Sequence, residues 1–193
     1  MGGRGASSQV QKNSLAVSSE KWRPNVEAGE NRIRGRKTET AILVGMDGKI
    51  LIDKSDGHKS QVGFNGQELA LMDGAILTHN HPRNSTFSDE DLKIMVHGLK
   101  EIRAVAVHGT FVMKKTRENA DFSMGKDYAL AQKEHLNQTN KIWAEAQMKR
   151  LGLLEMDKLA DQLNHSIEVF RRKWLAKNAK NYGFIYTYER RTA

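Results

Sequence analysis

The chain contains no cysteine. A disulfide scaffold and a thiolate metal site are therefore excluded, and any metal centre must be built from His, Asp, Glu or water. No apolar run approaches the roughly 20 residues that span a bilayer. The opening MGGRGASSQVQKNSLAVSSE lacks the apolar centre of a secretory signal, and no internal repeat is visible. The expectation is a cytoplasmic protein with no membrane partner. At 193 residues, 38% hydrophobic and 28% charged, the chain is long enough for one domain with its own core and too short for two.

The net charge of +8 is unevenly placed. Residues 1–37 carry eight Lys/Arg against three Glu, and residues 168–193 carry seven against two. Sixteen basic and eighteen acidic residues remain between them, so the middle is close to neutral. A nucleic acid or other polyanion would meet the two basic ends rather than a central phosphate funnel. Basic ends that only keep the protein soluble fit the same distribution.

Residues 1–22 are Gly/Ser-rich and read as a disordered tail. Lys21 to Lys37 is basic and without periodicity, interrupted by Pro24, and reads as either a short helix or a loop. From Thr38 the pattern sharpens. TAILV and KILID are strands around an Asp47-Gly48 turn, and Asn65 with Glu68 has the form of a capping box opening a short helix closed at Asp73-Gly74. AILTH is a third strand. Ser88 opens a helix whose Leu92, Met95, Val96 and Leu99 share one stripe, and EIRAVAV and TFVMKK follow as strands joined at His108-Gly109. Beyond Gly125 two long helical segments flank Gly152, the second with a stripe of Leu159, Leu163, Ile167, Phe170 and Trp174. Phe184, Tyr186 and Tyr188 share a face of a last short strand. The fold class is α/β (α+β): a mixed sheet flanked by helices, with a C-terminal helical hairpin. The organisation is a tail over 1–22, a core over 23–115 and a helical extension over 116–193 ending in a strand.

The densest chemistry lies in LTHNHPRNSTFSDEDL, residues 77–92. His79 and His81 are two apart at a strand end, so both imidazoles point to one side and can reach one ion. Pro82 ends the strand. The chain re-enters at a helix start, where Asp91 can point back at the histidines. Two imidazoles and one carboxylate leave a fourth position for water, as in a catalytic zinc site; a further carboxylate is then needed to take a proton. The same residues also have plain structural readings. Ser88-x-x-Asp91 is a helix N-terminal cap, and a His-x-His in a strand can simply pack. The letters HNH do not make a nuclease signature, whose residues are spread over a whole ββα unit. His58, His97, His108, His135 and His165 read as surface or packing residues, and Trp22, Trp143 and Trp174 as core or interface.

His79-x-His81-Pro82 followed by Ser88-x-x-Asp91, after an αβ lead-in, resembles the JAB/MPN (JAMM) metallopeptidase fold over roughly residues 30–115. The variant THNHP…FSDEDL with EIRAVAVHGTF is similar to domains of phage minor head or head-morphogenesis proteins. The resemblance implies Zn²⁺ on His79, His81 and Asp91, Ser88 steadying an oxyanion, and Glu39 as general base, with Glu30 a weaker alternative. It further implies a hydrolase acting on a peptide or isopeptide bond of a protein or peptide substrate, in the cytoplasm or associated with a virion. Six residues separate His81 from Ser88 here, whereas the family's pattern has seven. Two other functions fit the same residues: a non-catalytic module for head assembly or DNA association, with phage structural protein or nucleic acid met through the basic ends, and a metal-dependent nuclease or toxin domain.

Overall fold

The computed structural model describes residues 20–59, 61–149 and 152–191. Most of the expected tail, residues 1–19, lies outside them. Its last residue does not behave as tail: Trp22 is only 2% exposed and packs with Val26 and Ile33. Those two belong to helix α1 (Arg23–Ile33), over a stretch whose sequence left helix and loop open. Pro24 sits in the first turn of α1, where no backbone N–H is required of it, so it starts the helix instead of interrupting it.

The protein is a mixed α/β structure around one six-stranded sheet. Its strands are β1 (Ala41–Val44), β2 (Ile50–Lys54), β3 (Ile76–Asn80), β4 (Glu101–Ala106), β5 (Gly109–Lys115) and β6 (Phe184–Arg190), in the order β2-β1-β3-β4-β5-β6. Neighbours run antiparallel except β3 and β4, which are parallel and joined through helix α3 (Asp89–Ile94). Strands β1, β3 and β4 are buried along their whole length because both faces of the sheet are covered. Strand alternation sorts their side chains. Ile42, Val44, Ile76 and Val105 meet α1, while Leu43, Leu77, Ile102 and Ala104 face the other way, with Phe87, Leu92, Tyr128 and Leu175.

Helix α2 (Gly66–Ala70) opens on a capping box between Asn65 and Glu68 and carries the chain back to β3. The stripe expected after Ser88 is only partly buried: Leu92, Met95 and Leu99 are inside, but Val96 is 57% exposed. The reason is local. The chain leaves α3 after Ile94 and tightens into a 3₁₀ turn over Met95–His97, closed by Gly98 at φ +87°, so the α-helical spacing does not reach Val96. Helices α4 (Met124–Met148) and α5 (Leu153–Asn178) form an antiparallel hairpin, matched by contacts such as Gln132–Arg171 and His135–Ser166. The α5 stripe from Leu159 to Trp174 is half-buried against α4, and Met148, Leu153 and Leu154 at the far end are exposed. No helix among the described residues is long and apolar enough to cross a membrane.

Candidate metal centre

Strand register builds one wall of the site. Ala41 pairs with His79 in the β1–β3 ladder, and the same antiparallel register carried two residues further sets Glu39 across from His81. The segment bearing Glu39 is held there by Asn80. Its Oδ1 accepts the Thr40 N–H at 2.8 Å, and its Nδ2 donates to the carbonyls of Arg36 and Thr38 at 3.1 and 3.2 Å. The Glu39 N–H donates to the His58 carbonyl at 2.8 Å. Because successive strand residues alternate, Asn80 grips the lead-in on one side while His79 and His81 project together on the other.

The second wall is the opening turn of α3. Ser88 is its N-cap and forms a reciprocal box with Asp91: the Ser88 N–H and hydroxyl both donate to Asp91 Oδ2 at 2.7 Å, and the Asp91 N–H returns a bond to Ser88 Oγ at 3.2 Å. The other carboxylate oxygen, Oδ1, lies 3.0 Å from His79 Nε2, while Oδ2 lies 3.4 Å from His81 Nε2. Capping and facing the histidines are thus not rival roles; one carboxylate does both.

Between the two walls the donor atoms crowd together. The Nε2 atoms of His79 and His81 are 2.8 Å apart. Glu39, His79 and His81 are all buried and offer ligand atoms within 4.8 Å of one another, a group that could hold a metal ion. His81 Nδ1 is 2.9 Å from the Ser85 carbonyl, which can only accept, so the proton sits on Nδ1 and Nε2 is left for a metal. His79 Nδ1 is buried without a partner. Burial opposes a charge on His81, but Asp91, Glu39 and the Ser85 carbonyl overcome it and raise its pKa to about 9. Burial also works against the Asp91 carboxylate, yet both histidines hold its pKa well below the ordinary range. The Glu39 carboxyl is pushed up by burial, partly offset by the two imidazoles. Two imidazoles and two carboxylates in this space require a positive charge among them, from a proton or a divalent cation.

Glu30, the alternative base, is not near this cluster. It lies on the α1 side of the sheet, where Thr78 and Thr110 donate to it and the buried Arg103 guanidinium pairs with it. Of the other histidines, His58, His97, His108 and His165 have exposed side chains, and His135 stacks on Phe170 at 4.5 Å. Trp22 is core, while Trp143 and Trp174 are half-buried.

Sequence reasoning missed the third wall. The six-residue link from His81 to Ser88 is gripped by the C-terminal segment: Glu168 of α5 accepts the Thr86 N–H at 2.7 Å, Tyr186 of β6 shares a hydrogen bond with the Thr86 hydroxyl at 2.8 Å, and the Tyr128 hydroxyl of α4 donates to the Phe87 carbonyl at 2.8 Å. Asn84, at φ +57°, lets the link turn and accepts the Val107 N–H at 2.8 Å. Of Glu168, Tyr186 and Tyr128, only Tyr186 stood out in the sequence, through the face it shares with Phe184 and Tyr188. Above the centre a cavity of about 710 Å³ separates His81, Ser88 and Asp91 from the α4–α5 hairpin. No protein-family model matches the chain, and neither a curated protein nor a solved structure matches it.

Proposed function

We propose that this protein is a zinc-dependent hydrolase of the JAMM type that cleaves a peptide or isopeptide bond. The observation that carries the reading is the placement of Asp91, whose Oδ2 is fixed by the α3 cap while Oδ1 stands 3.0 Å from His79 Nε2. Two imidazole nitrogens and a carboxylate are a donor set that zinc takes, and the absence of cysteine leaves no thiolate to compete. His79, His81 and Asp91 would hold the ion. When bound, it lowers the pKa of a water and polarises a carbonyl.

The chain's own residues supply the rest. Glu39, buried and with a raised carboxyl pKa, takes a proton at its carboxylate and returns it to the departing amine. Asn80 and the β1–β3 register keep that carboxylate beside the histidines. Ser88 already donates its hydroxyl to Asp91 Oδ2, so steadying an oxyanion requires that hydroxyl to turn from the cap. Phage or prophage association rests on the resemblance of THNHP…FSDEDL alone.

The test is metal content together with cleavage. Protein purified without added metal carries about one equivalent of zinc, loses it in His81→Ala, and hydrolyses peptide-linked or isopeptide-linked substrates unless a chelator is present. Bound zinc without any cleavage identifies the non-catalytic assembly module instead. Chelator-sensitive cutting of nucleic acid, with amide substrates untouched, identifies the nuclease.

A further inference from the structure

The cavity above the metal centre has an arginine built into its far wall. Arg171 of α5 is half-buried, and its Nε donates to Oε1 of Gln132, itself 8% exposed, at 2.8 Å. That bond fixes the guanidinium plane. Among the described residues its two terminal nitrogens have no protein partner, and neither is sealed from solvent, since the buried orphan side-chain atoms found there are Arg34 Nε and His79 Nδ1. Glu39, Ser88 and Asp91 line the same cavity. Arg83 and Lys59 stand at its rim, both exposed and without an ion pair among the described residues. The hairpin's one acid in the lining, Glu168, is already committed to the Thr86 N–H and Arg172. A planar, pre-oriented guanidinium fork facing a reaction site is the group that reads a carboxylate in two-point fashion.

We infer that this cleft recognises a carboxylate of its peptide substrate, with Arg171 as the specificity-determining contact and Arg83 and Lys59 adding attraction at the rim. The inference rests on the hydrolase reading for the identity of the substrate, though not for the binding itself. The carboxylate comes either from the end of a peptide chain or from an Asp or Glu side chain. A nucleic-acid strand is disfavoured because Lys59, Arg83 and Arg171 share the lining with Glu39, Asp91 and Glu168, so a run of phosphates meets no continuous positive wall, whereas a single carboxylate needs only the one guanidinium.

The experiment measures binding and cleavage separately on the zinc-loaded full chain, using short dye-labelled peptides. Four versions of one sequence are compared: Glu with a free C-terminus, Glu with an amidated C-terminus, Gln with a free C-terminus, and Gln amidated. Fluorescence anisotropy gives Kd, and product formation gives kcat/KM. Tightest binding by versions that keep one particular carboxylate is expected, and whichever change abolishes it identifies the source. Arg171→Gln should weaken those peptides about 10- to 100-fold, the range for hydrogen bonds to a charged group, and leave the doubly neutral peptide unaffected. Arg171→Lys should restore only part, and Arg83→Gln should have a smaller effect. Equal binding of charged and neutral versions by the parent protein overturns the inference, and needs no variant to fold. Charge-dependent binding that Arg171→Gln, folded and zinc-loaded, leaves intact also overturns it, as does an oligonucleotide that displaces the peptides at equal charge. Carboxylate-dependent binding without any zinc-dependent cleavage upholds the site and removes the hydrolase reading; zinc-dependent cleavage indifferent to carboxylates does the reverse.

Discussion

The Glu168 carboxylate accepts the backbone N–H of Thr86 across 82 residues of sequence, at 2.7 Å. Thr86 is fully buried, so without the carboxylate this N–H has no protein acceptor in its place and depends on water entering from the cavity that Glu168 lines. Glu168→Ala should cost about 1–3 kcal/mol of stability, the usual penalty for a buried donor left unpaired. A loosened link also lets Ser88 and Asp91 drift, and displacement of that kind can cost roughly 100-fold in rate. The expected result is a loss in kcat that exceeds the change in KM, with Glu168→Gln, which keeps an acceptor oxygen, close to the parent. Steady-state kinetics beside thermal melts checks this.

Removing a ligand should remove the ion. His79→Ala and His81→Ala are each expected to purify with little zinc under conditions where the parent holds about one equivalent, read by elemental analysis. Asp91→Ala should lose both zinc and the carboxylate half of the α3 capping box, adding about 1 kcal/mol of destabilisation, while Ser88 Oγ still accepts the backbone N–H of residue 91. Full zinc occupancy in Asp91→Ala would reassign the third ligand to Glu39, the other carboxylate beside the histidines.

Glu39→Gln separates holding an ion from moving a proton. The amide keeps the size and backbone anchoring of the side chain but cannot act as a base, so zinc should stay bound while kcat falls about 10²–10⁴-fold. Parental activity in this variant would remove Glu39 from the reaction.

The metal-stripped protein should respond to pH through His81. Its folded pKa of about 9 lies above the roughly 6.5 of an unfolded histidine. The stabilisation is therefore complete below about pH 6.5 and disappears as pH rises through about 9. At the acid end the depressed Asp91 pKa works oppositely: its contribution holds above roughly pH 4 and fades below. Melting temperature after chelation should fall from near pH 6.5 to pH 9.5, and the fall should vanish in His81→Ala.

The opposite side of the sheet offers a control. Arg103 is 3% exposed and pairs with Glu30, Glu101 and Glu189. Arg103→Met strands the buried Glu101 carboxylate and leaves Glu30 with the longer contact to Arg34 at 3.6 Å, and should destabilise by about 3–5 kcal/mol. Zinc content of the folded fraction should be unchanged, because these acids lie across the sheet from the histidines.

Much of this arrangement was legible because it is encoded over short distances. The His79–His81 pair needs only the two-residue period of a strand, and the Asn65 and Ser88 boxes need only the spacing of a helical turn. The strand and helix order from β1 to β5 follows from the same local periodicities. The misreadings were local conflicts. Pro24 was weighed as a break when it occupies a first turn, and the 3₁₀ tightening at Met95 moved Val96 out of its stripe. The grip of Tyr128, Glu168 and Tyr186 on Thr86 and Phe87 was not legible, because contacts 41 to 100 residues apart leave no spacing to read. For the same reason Arg171 looked like one of several cations in a basic C-terminal stretch, and only folding sets it in the lining of the cavity that His81 also faces.

The pairing of β6 with β5 along Gly109–Lys115 has a consequence for any shortened form of the protein. A fragment ending at Lys115 would keep every residue of the His/Glu/Asp cluster, yet it would move the open edge of the sheet from the largely exposed β6 to β5, whose Gly109–Met113 are buried in the intact protein. Such an edge recruits strands from other molecules. The truncated piece is therefore expected to self-associate and precipitate, and β6 acts as the guard of β5 against aggregation.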